Sequence, residues 1–257
     1  MDSAAHAYAR VSHQLAGTAF SDIAYVDQTD STNADAASLL GDPRHAGFSI
    51  VAGHQTAGRG RKSREWIDVP GSALLVTTIL PRSIAASSLW AAPFWVGLAL
   101  REALSSVGVV AALRWPNDLL LDGRKVAGIM CVSRVTGGDA WIACGAGVNV
   151  HRAAGSLPID PPPAFCDDVA PVDPAALLEA LLRAYDASLG LLDWPQRIAE
   201  RWERAAGIRG SRYVVLEDGS TDSFEANAIG LSVDGGLNLE RNGVVRTVSL
   251  ADARVLR

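Results

Sequence analysis

Four cations crowd one short stretch of this chain, Gly58-Arg-Gly-Arg-Lys-Ser-Arg-Glu-Trp66, where Arg59, Arg61, Lys62 and Arg64 stand close together and an aromatic follows. Cations this near repel one another until phosphate or carboxylate pairs with them, and the glycines let the backbone fold around such an anion. The stretch therefore reads as a phosphate loop ordered by its ligand; the alternative is a solvated basic turn. A fifth cation, Lys125, sits just after a turn and ahead of an apolar strand, with Gly128 three residues on. Asn117 and Asp118 add an amide and a carboxylate that can face Lys125 across a hairpin, although Pro116-Asn117-Asp118 is also ordinary turn chemistry. A carboxylate near phosphates invites Mg²⁺, which takes one or two such oxygens plus phosphates and water.

Gly145-Ala-Gly-Val-Asn149 offers close backbone approach to a ligand but lacks the third glycine of a dinucleotide fingerprint, and no Gly-x-x-x-x-Gly-Lys-Ser/Thr occurs. His6, His13, His45, His54 and His151 have no metal-ligand spacing, and there is no Gly-x-Ser-x-Gly elbow, so zinc and serine-hydrolase chemistry are not supported. Arg and Lys must then carry the reaction. Bringing two anions together, such as a carboxylate and an α-phosphate, needs cations to cancel repulsion and hold the attacking oxygen in line.

The elements that position these residues are legible as a set of strands and helices. Short apolar runs at 24–26, 49–52 and 73–80 predict strands, with the basic loop joining the last two, and residues 30–40 predict a helix capped by Ser31, Thr32 or Asn33. Helical spacing follows over 88–107, 175–192 and 196–206, and an antiparallel meander over 111–144, turned at Asp122-Gly123 and at Gly137-Gly138-Asp139. From Gly207 the texture changes to short alternating stretches broken by Asp218-Gly219, Asp234-Gly235-Gly236 and Asn242-Gly243, which suits a small SH3-like barrel of about five strands. The expected division is 1–206 and 207–257, an α+β unit with a mixed or antiparallel sheet followed by the barrel.

With 257 residues, 49% of them hydrophobic, the chain can bury a sizeable core. A net charge of -5 makes the basic loop a local exception and argues against nucleic-acid binding. Cys131, Cys144 and Cys166 show no pairing pattern and read as structural thiols of a reducing compartment. The chain has neither a signal-peptide pattern nor an uninterrupted apolar span, so a cytoplasmic protein without membrane contact is expected.

Taken together, Ser31-Thr32-Asn33, Gln55, Gly58-Arg-Gly-Arg61 with Trp66, Arg114-Trp-Pro-Asn-Asp118, Lys125-Val-Ala-Gly128 and Gly145-Ala-Gly-Val-Asn149 resemble the biotin protein ligases in order and spacing, over roughly residues 25–257. The resemblance implies a class II synthetase-like catalytic domain. It also implies activation of biotin by ATP, with Mg²⁺, to biotinyl-5′-AMP, and transfer of biotin to a lysine of a biotin carboxyl carrier protein. By position, Ser31, Thr32, Asn33 and Gln55 would serve the ureido ring, with Gly128 and Gly145 beside the biotin. Arg59, Gly60 and Arg61 would wrap carboxylate and phosphates, Arg64 would add charge, and Trp66 would cover the adenylate. Lys125 would bind carboxylate and α-phosphate as the leading catalytic residue with Arg61, Asn117 and Asp118 would meet the nucleotide or Mg²⁺, and Asn149 would read adenine. The loop would be disordered without ligand.

This chain departs from the family pattern at Ser63, where glycine is usual, at Arg114, where lysine is, and at Val132, where glutamate often is. Too few residues precede Tyr25 for the helix-turn-helix domain some members carry, so a ligase-only form without DNA binding is expected. Exposed sheet edges in the meander would allow a homodimer. The rival readings are a lipoate or octanoyl ligase, whose Arg-Arg-x-Ser-Gly-Gly-Gly segment is missing here, a non-catalytic binder of biotin or its adenylate, and a basic-loop RNA binder.

Overall fold

A computed structural model describes residues 3–152, 160–217, 222–249 and 253–256, leaving aside the side chains of Ser3, Ser63, Glu217 and 253–256. Chain order begins with α1 (Ser3–Gln14), β1 (Ile23–Val26), α2 (Thr32–Leu39), β2 (Ser49–Ala52), β3 (Ala73–Ile79), β4 (Ile84–Ala85) and α3 (Ala92–Ser106). It continues through β5 (Ala112–Arg114), β6 (Asp118–Leu121), β7 (Arg124–Thr136), β8 (Asp139–Asn149), α4 (Pro174–Ser188) and α5 (Pro195–Ala205). The last strands are β9 (Arg212–Glu217), β10 (Ser223–Leu231), β11 (Leu237–Arg241), β12 (Val244–Val248) and β13 (Ala253–Leu256).

The first sheet runs β1-β2-β3-β8-β7-β6-β5, with β4 against β8. Only β1 and β2 pair in parallel, so the sheet is mixed. Every residue of β3 is buried, as expected for an apolar run covered on both faces. One face carries Leu74 and Val76 of β3, Ala127 and Ile129 of β7, and Ala146 and Val148 of β8 into a single core with α1, α3, α4 and α5. There Trp95 stacks on Tyr185 at 4.5 Å and Phe94 on Trp202 at 4.8 Å. On the opposite face α2 covers only a small cluster of Ala36, Leu40, Ile50, Ile79 and Ala143. The rest of that face is open to a cavity.

The meander turns where the sequence predicts: Asp122 and Gly123 both take positive φ, 47° and 75°, as a two-residue hairpin between twisted strands requires. Three expectations change. The 88–107 helix is a 3-10 segment, Ala86–Ala91, followed by α3, because Pro93 fits only a first turn. The 175–192 helix ends at Ser188 and continues as a 3-10 turn, Leu189–Asp193. The strand expected to end at Cys144 runs on through Gly145-Ala-Gly-Val-Asn149, which is the end of β8 itself. The twelve-residue helix α1, unread in the sequence, packs Tyr8, Val11 and Leu15 into the core.

The second sheet is antiparallel in the order β12-β11-β10-β9-β13 and occupies the place of the expected barrel. Its Asp218-Gly219 turn lies outside the described residues. It docks tightly on the first unit: Trp115 Nε1 donates to Gly235 O at 3.0 Å, Leu231 N donates to Glu203 Oε2 at 2.8 Å, and the Arg114 guanidinium stacks over the Tyr213 ring at 3.8 Å.

Candidate active site

Strand register places the site. A row of cross-strand partners runs Leu75, Gly147, Gly128, Asp118, Arg114 through β3, β8, β7, β6 and β5, and the next row holds Thr77, Gly145 and Met130. Because side chains alternate along a strand, both rows face the open side of the sheet, and all eight residues line one cavity of about 130 Å³. Its other walls come from Ser31, Thr32 and Asn33 at the start of α2, from Gln55, and from Arg59 to Lys62 and Arg64 to Trp66.

The floor is made of missing side chains. A Cβ on Gly147 would lie 2.8 Å from the Trp66 ring, one on Gly128 would lie 2.7 Å from Lys125 Nζ, and one on Gly145 would lie 2.5 Å from Asn33 Oδ1. Three glycines on one face thus let an indole, an ammonium and an amide lie directly on the sheet. Simple alternation would put Lys125 and Gly128 on opposite faces. The β6–β7 register slips by one residue, pairing Leu119 with Ala127 but Leu120 with Lys125, and this bulge turns Lys125 to the cavity side. Its Nζ pairs with Asp118 Oδ1 at 2.6 Å and lies 5.6 Å from the Trp66 ring.

The neutral end of the cavity is a hydrogen-bond network. Thr32 donates to Gln55 Oε1 from both its backbone N, at 2.8 Å, and its Oγ1, at 3.0 Å. Thr77 Oγ1 lies 2.8 Å from Thr32 Oγ1 and 3.1 Å from Asn33 Oδ1, and Asn33 Nδ2 donates to Met130 O at 3.2 Å. Ser31 is the N-cap of α2, makes no side-chain capping bond and stands in the cavity wall. Thr77, fully buried, went unread in the sequence; two threonines inside an otherwise apolar strand were the available signal.

The basic loop forms a closed turn. Gly60 N donates to Arg64 O at 2.7 Å, Trp66 N donates to Gly58 O at 2.9 Å, and Lys62 takes a left-handed φ of 56°. Arg61 Nη1 donates to Asn117 Oδ1 at 3.4 Å, and Asn117 Nδ2 donates to Ile129 O at 2.6 Å, so the loop is latched to the β5–β6 turn. The buried Trp66 Nε1 has no hydrogen-bond partner among the described residues.

Fifteen candidates were read from the sequence, and the cavity brings together all but one. Asn149 is absent from its wall: Nδ2 donates to Lys125 O at 3.3 Å and to Ala164 O at 3.1 Å. Those bonds brace the strand that carries Lys125 and leave only Oδ1, an acceptor, for a ligand. Of the departures, Arg114 donates to Arg212 O at 3.1 Å and so ties the second sheet to the cavity wall, while Val132 packs with the apolar cluster under α2. No group of three or more His, Cys, Asp or Glu side chains that could hold a metal occurs among the described residues.

The cavity thus joins a glycine floor, a cationic row and a neutral polar row on one mixed sheet. Residues 25–149 match the biotin/lipoate A/B protein ligase family. The chain is 38% identical over 170 residues to the biotin–[acetyl-CoA-carboxylase] ligase of Paracoccus denitrificans, covering 62% of this chain and 69% of that protein. It is 30% identical over 259 residues to the enzyme of the same name from Mycobacterium tuberculosis, covering 94% and 92%. The chain belongs to the biotin/lipoate A/B protein ligase family. Within that family its relatives place it among the biotin protein ligases. The fold is shared with the Aquifex aeolicus biotin protein ligase solved in complex with biotin and ATP, at a TM-score of 0.73 and 20% identity over 92% of this chain and 99% of that one.

Proposed function

We propose that this protein activates biotin with ATP to biotinyl-5′-AMP and passes the biotinyl group to one lysine of a biotin carboxyl carrier domain. The observation that carries the reading is the adjacency of two unlike rows on one glycine floor. Thr32, Asn33, Gln55 and Thr77 offer neutral donors and acceptors suited to a ureido ring, and one row away Lys125, Arg61 and their neighbours offer positive charge suited to a carboxylate meeting a phosphate. The names of the relatives, and the biotin and ATP bound by the Aquifex aeolicus enzyme, support the same substrates.

In the first step a carboxylate oxygen of biotin attacks the α-phosphorus of ATP, the bond to the β-phosphate breaks, and pyrophosphate leaves with its electron pair. Both reactants are anions, so the Lys125 ammonium would hold the carboxylate against the α-phosphate and offset the charge that builds there. Arg59, Arg61 and Arg64 would pair the remaining phosphate oxygens, bidentately where a guanidinium reaches two. Trp66, lying over Gly147, would cover the product and keep water from the mixed anhydride. In the second step the carrier's lysine amine attacks the biotinyl carbonyl, AMP departs, and the amine's proton is lost to solvent. Asn149, braced through Nδ2, would present Oδ1 to the amino group of adenine.

The residues fit magnesium only as a companion of the nucleotide. Asp118 is one carboxylate beside the phosphate-binding cations, and Mg²⁺ is commonly bound by one or two carboxylates together with substrate phosphates. There it would draw charge from the phosphates, while Asp118 also holds Lys125. Residues 1–206 and 207–257 would form a catalytic unit and a small β unit. Among the described residues no helix is long and apolar enough to cross a membrane, and the three free cysteines suit the cytoplasm. The edge strands β1 and β5 are the candidates for a homodimer contact.

Separate incubations of a purified apo carrier domain with Mg-ATP, biotin or lipoate, and either wild-type protein or Lys125→Ala, read by intact mass, test the proposal. A biotin-sized gain with the wild type alone is expected. No gain with either, alongside tight biotin binding, would replace the ligase by a binder, and a gain with lipoate instead of biotin would move the substrate.

A further inference from the structure

We propose that His54 and Asp68 form a clasp that closes the two feet of the basic loop and fixes Gln55 in its working position. The segment between β2 and β3 runs over residues 53–72, and neither His54 nor Asp68 lines the cavity. The Asp68 side chain is 1% exposed and that of His54 is 24% exposed. Burying a carboxylate so completely is costly unless both oxygens find donors. They do: His54 Nδ1 lies 2.8 Å from Oδ2, and Gln55 N donates to Oδ1 at 3.3 Å. Since an ionised carboxylate only accepts, Nδ1 must carry the proton, which fixes the ring's tautomer or its charge.

Gln55 is thereby held at both ends. Its backbone is set by Asp68, its Oε1 by the two donors of Thr32, and the preceding carbonyl by Thr29 N donating to His54 O at 3.1 Å. A second tie across the same feet, Gly71 N to Gly53 O at 2.9 Å, keeps them together without setting the direction of Gln55. His54 and Asp68 are positioning residues, and the inference rests on the reading of Gln55 as a contact to the ureido ring.

The test compares the wild type with Asp68→Ala, Asp68→Asn and His54→Phe by calorimetric binding of biotin and, separately, of ATP, and by amide hydrogen exchange of residues 55–66. Loss of a buried hydrogen-bonded partner corresponds to a fall of about ten- to a hundredfold in biotin affinity for Asp68→Ala, with a smaller fall for Asp68→Asn, which keeps one acceptor. ATP affinity should hold, and exchange should quicken in 55–66 but not across the core helices. Unchanged biotin affinity and unchanged exchange in a folded Asp68→Ala protein would overturn the clasp, as would exchange that quickens everywhere alike. If Asp68→Ala does not fold, His54→Phe decides by the same criteria. If the wild type itself binds no biotin, the functional reading falls, and the exchange arm alone decides the clasp.

Discussion

Gly128→Ala separates the geometry of this site from its stability. The added Cβ would lie 2.7 Å from Lys125 Nζ, 2.8 Å from Cε and 3.2 Å from the Trp66 ring. Ordinary contact begins near 3.4 Å, so the ammonium must retreat by about 0.7 Å, away from a floor that places it 2.6 Å from Asp118. The atoms that clash belong to the end of a flexible side chain, which puts the folding cost at the low end of the ~1–3 kcal/mol typical of overpacking. The chemical cost is larger, since a displacement near 1 Å at a reacting centre can lower the rate by about 10²-fold. By the conversion of 1.36 kcal/mol per tenfold that is about 2.7 kcal/mol of lost transition-state stabilisation. Biotin-dependent pyrophosphate release should therefore fall by about two orders of magnitude while the melting temperature moves by only a few degrees. If the loss arises through Lys125, Gly128→Ala should add little in a Lys125→Ala background, because mutations that act through one group are not additive. Adenylation within about threefold of wild type, or full additivity in the double variant, would refute the argument.

Gly145→Ala should behave differently, because its Cβ would lie 2.7 Å from the backbone oxygen of Met130, which cannot swing aside; a clear drop in melting temperature is expected, and an unchanged one would deny the close strand approach. Thr77→Val removes a buried hydroxyl from the neutral network, and calorimetry should show biotin bound more weakly by about 1–3 kcal/mol, with ATP binding unaffected. Burial, reinforced by the neighbouring Asp167 and Asp168, pushes the Cys166 thiol up to about 12, and the Cys144 thiol is raised by its contact with Cys131 and by burial. A raised thiol stays protonated at pH 8, so neither should react with a maleimide in the native protein, and rapid labelling of Cys166 seen by intact mass would contradict its burial.

The basic loop, Lys125, Asp118 and the polar start of α2 were legible because charge and hydroxyl groups stand out against an apolar chain, and hairpin residues such as Asp122-Gly123 announce which strands become neighbours. The rest depended on what neighbouring strands place side by side. Lys125 and Gly128 lie three apart, which alternation assigns to opposite faces, and only the bulge between β6 and β7 reconciles them. Thr77 was hidden in a run whose burial on both faces makes its pattern continuous and so conceals which side each residue takes. Asp68 and His54 stand at opposite ends of a loop, and nothing in their spacing brings them together.

The glycines mark the deepest limit of reading along the chain. Glycine fingerprints are searched for in loops, where backbone N–H groups meet phosphate, whereas the glycines of Gly145-Ala-Gly-Val-Asn149 sit within β8 and act by leaving volume empty. Gly147 and Gly128 face each other in the ladder, so the indole of Trp66 and the ammonium of Lys125 can share one hollow that either side chain alone would close. Neither glycine signals this by itself. The hollow exists only where two strands distant in sequence leave out a Cβ at the same register position, and that coincidence brings the cation within reach of the neutral row one step along the same strands.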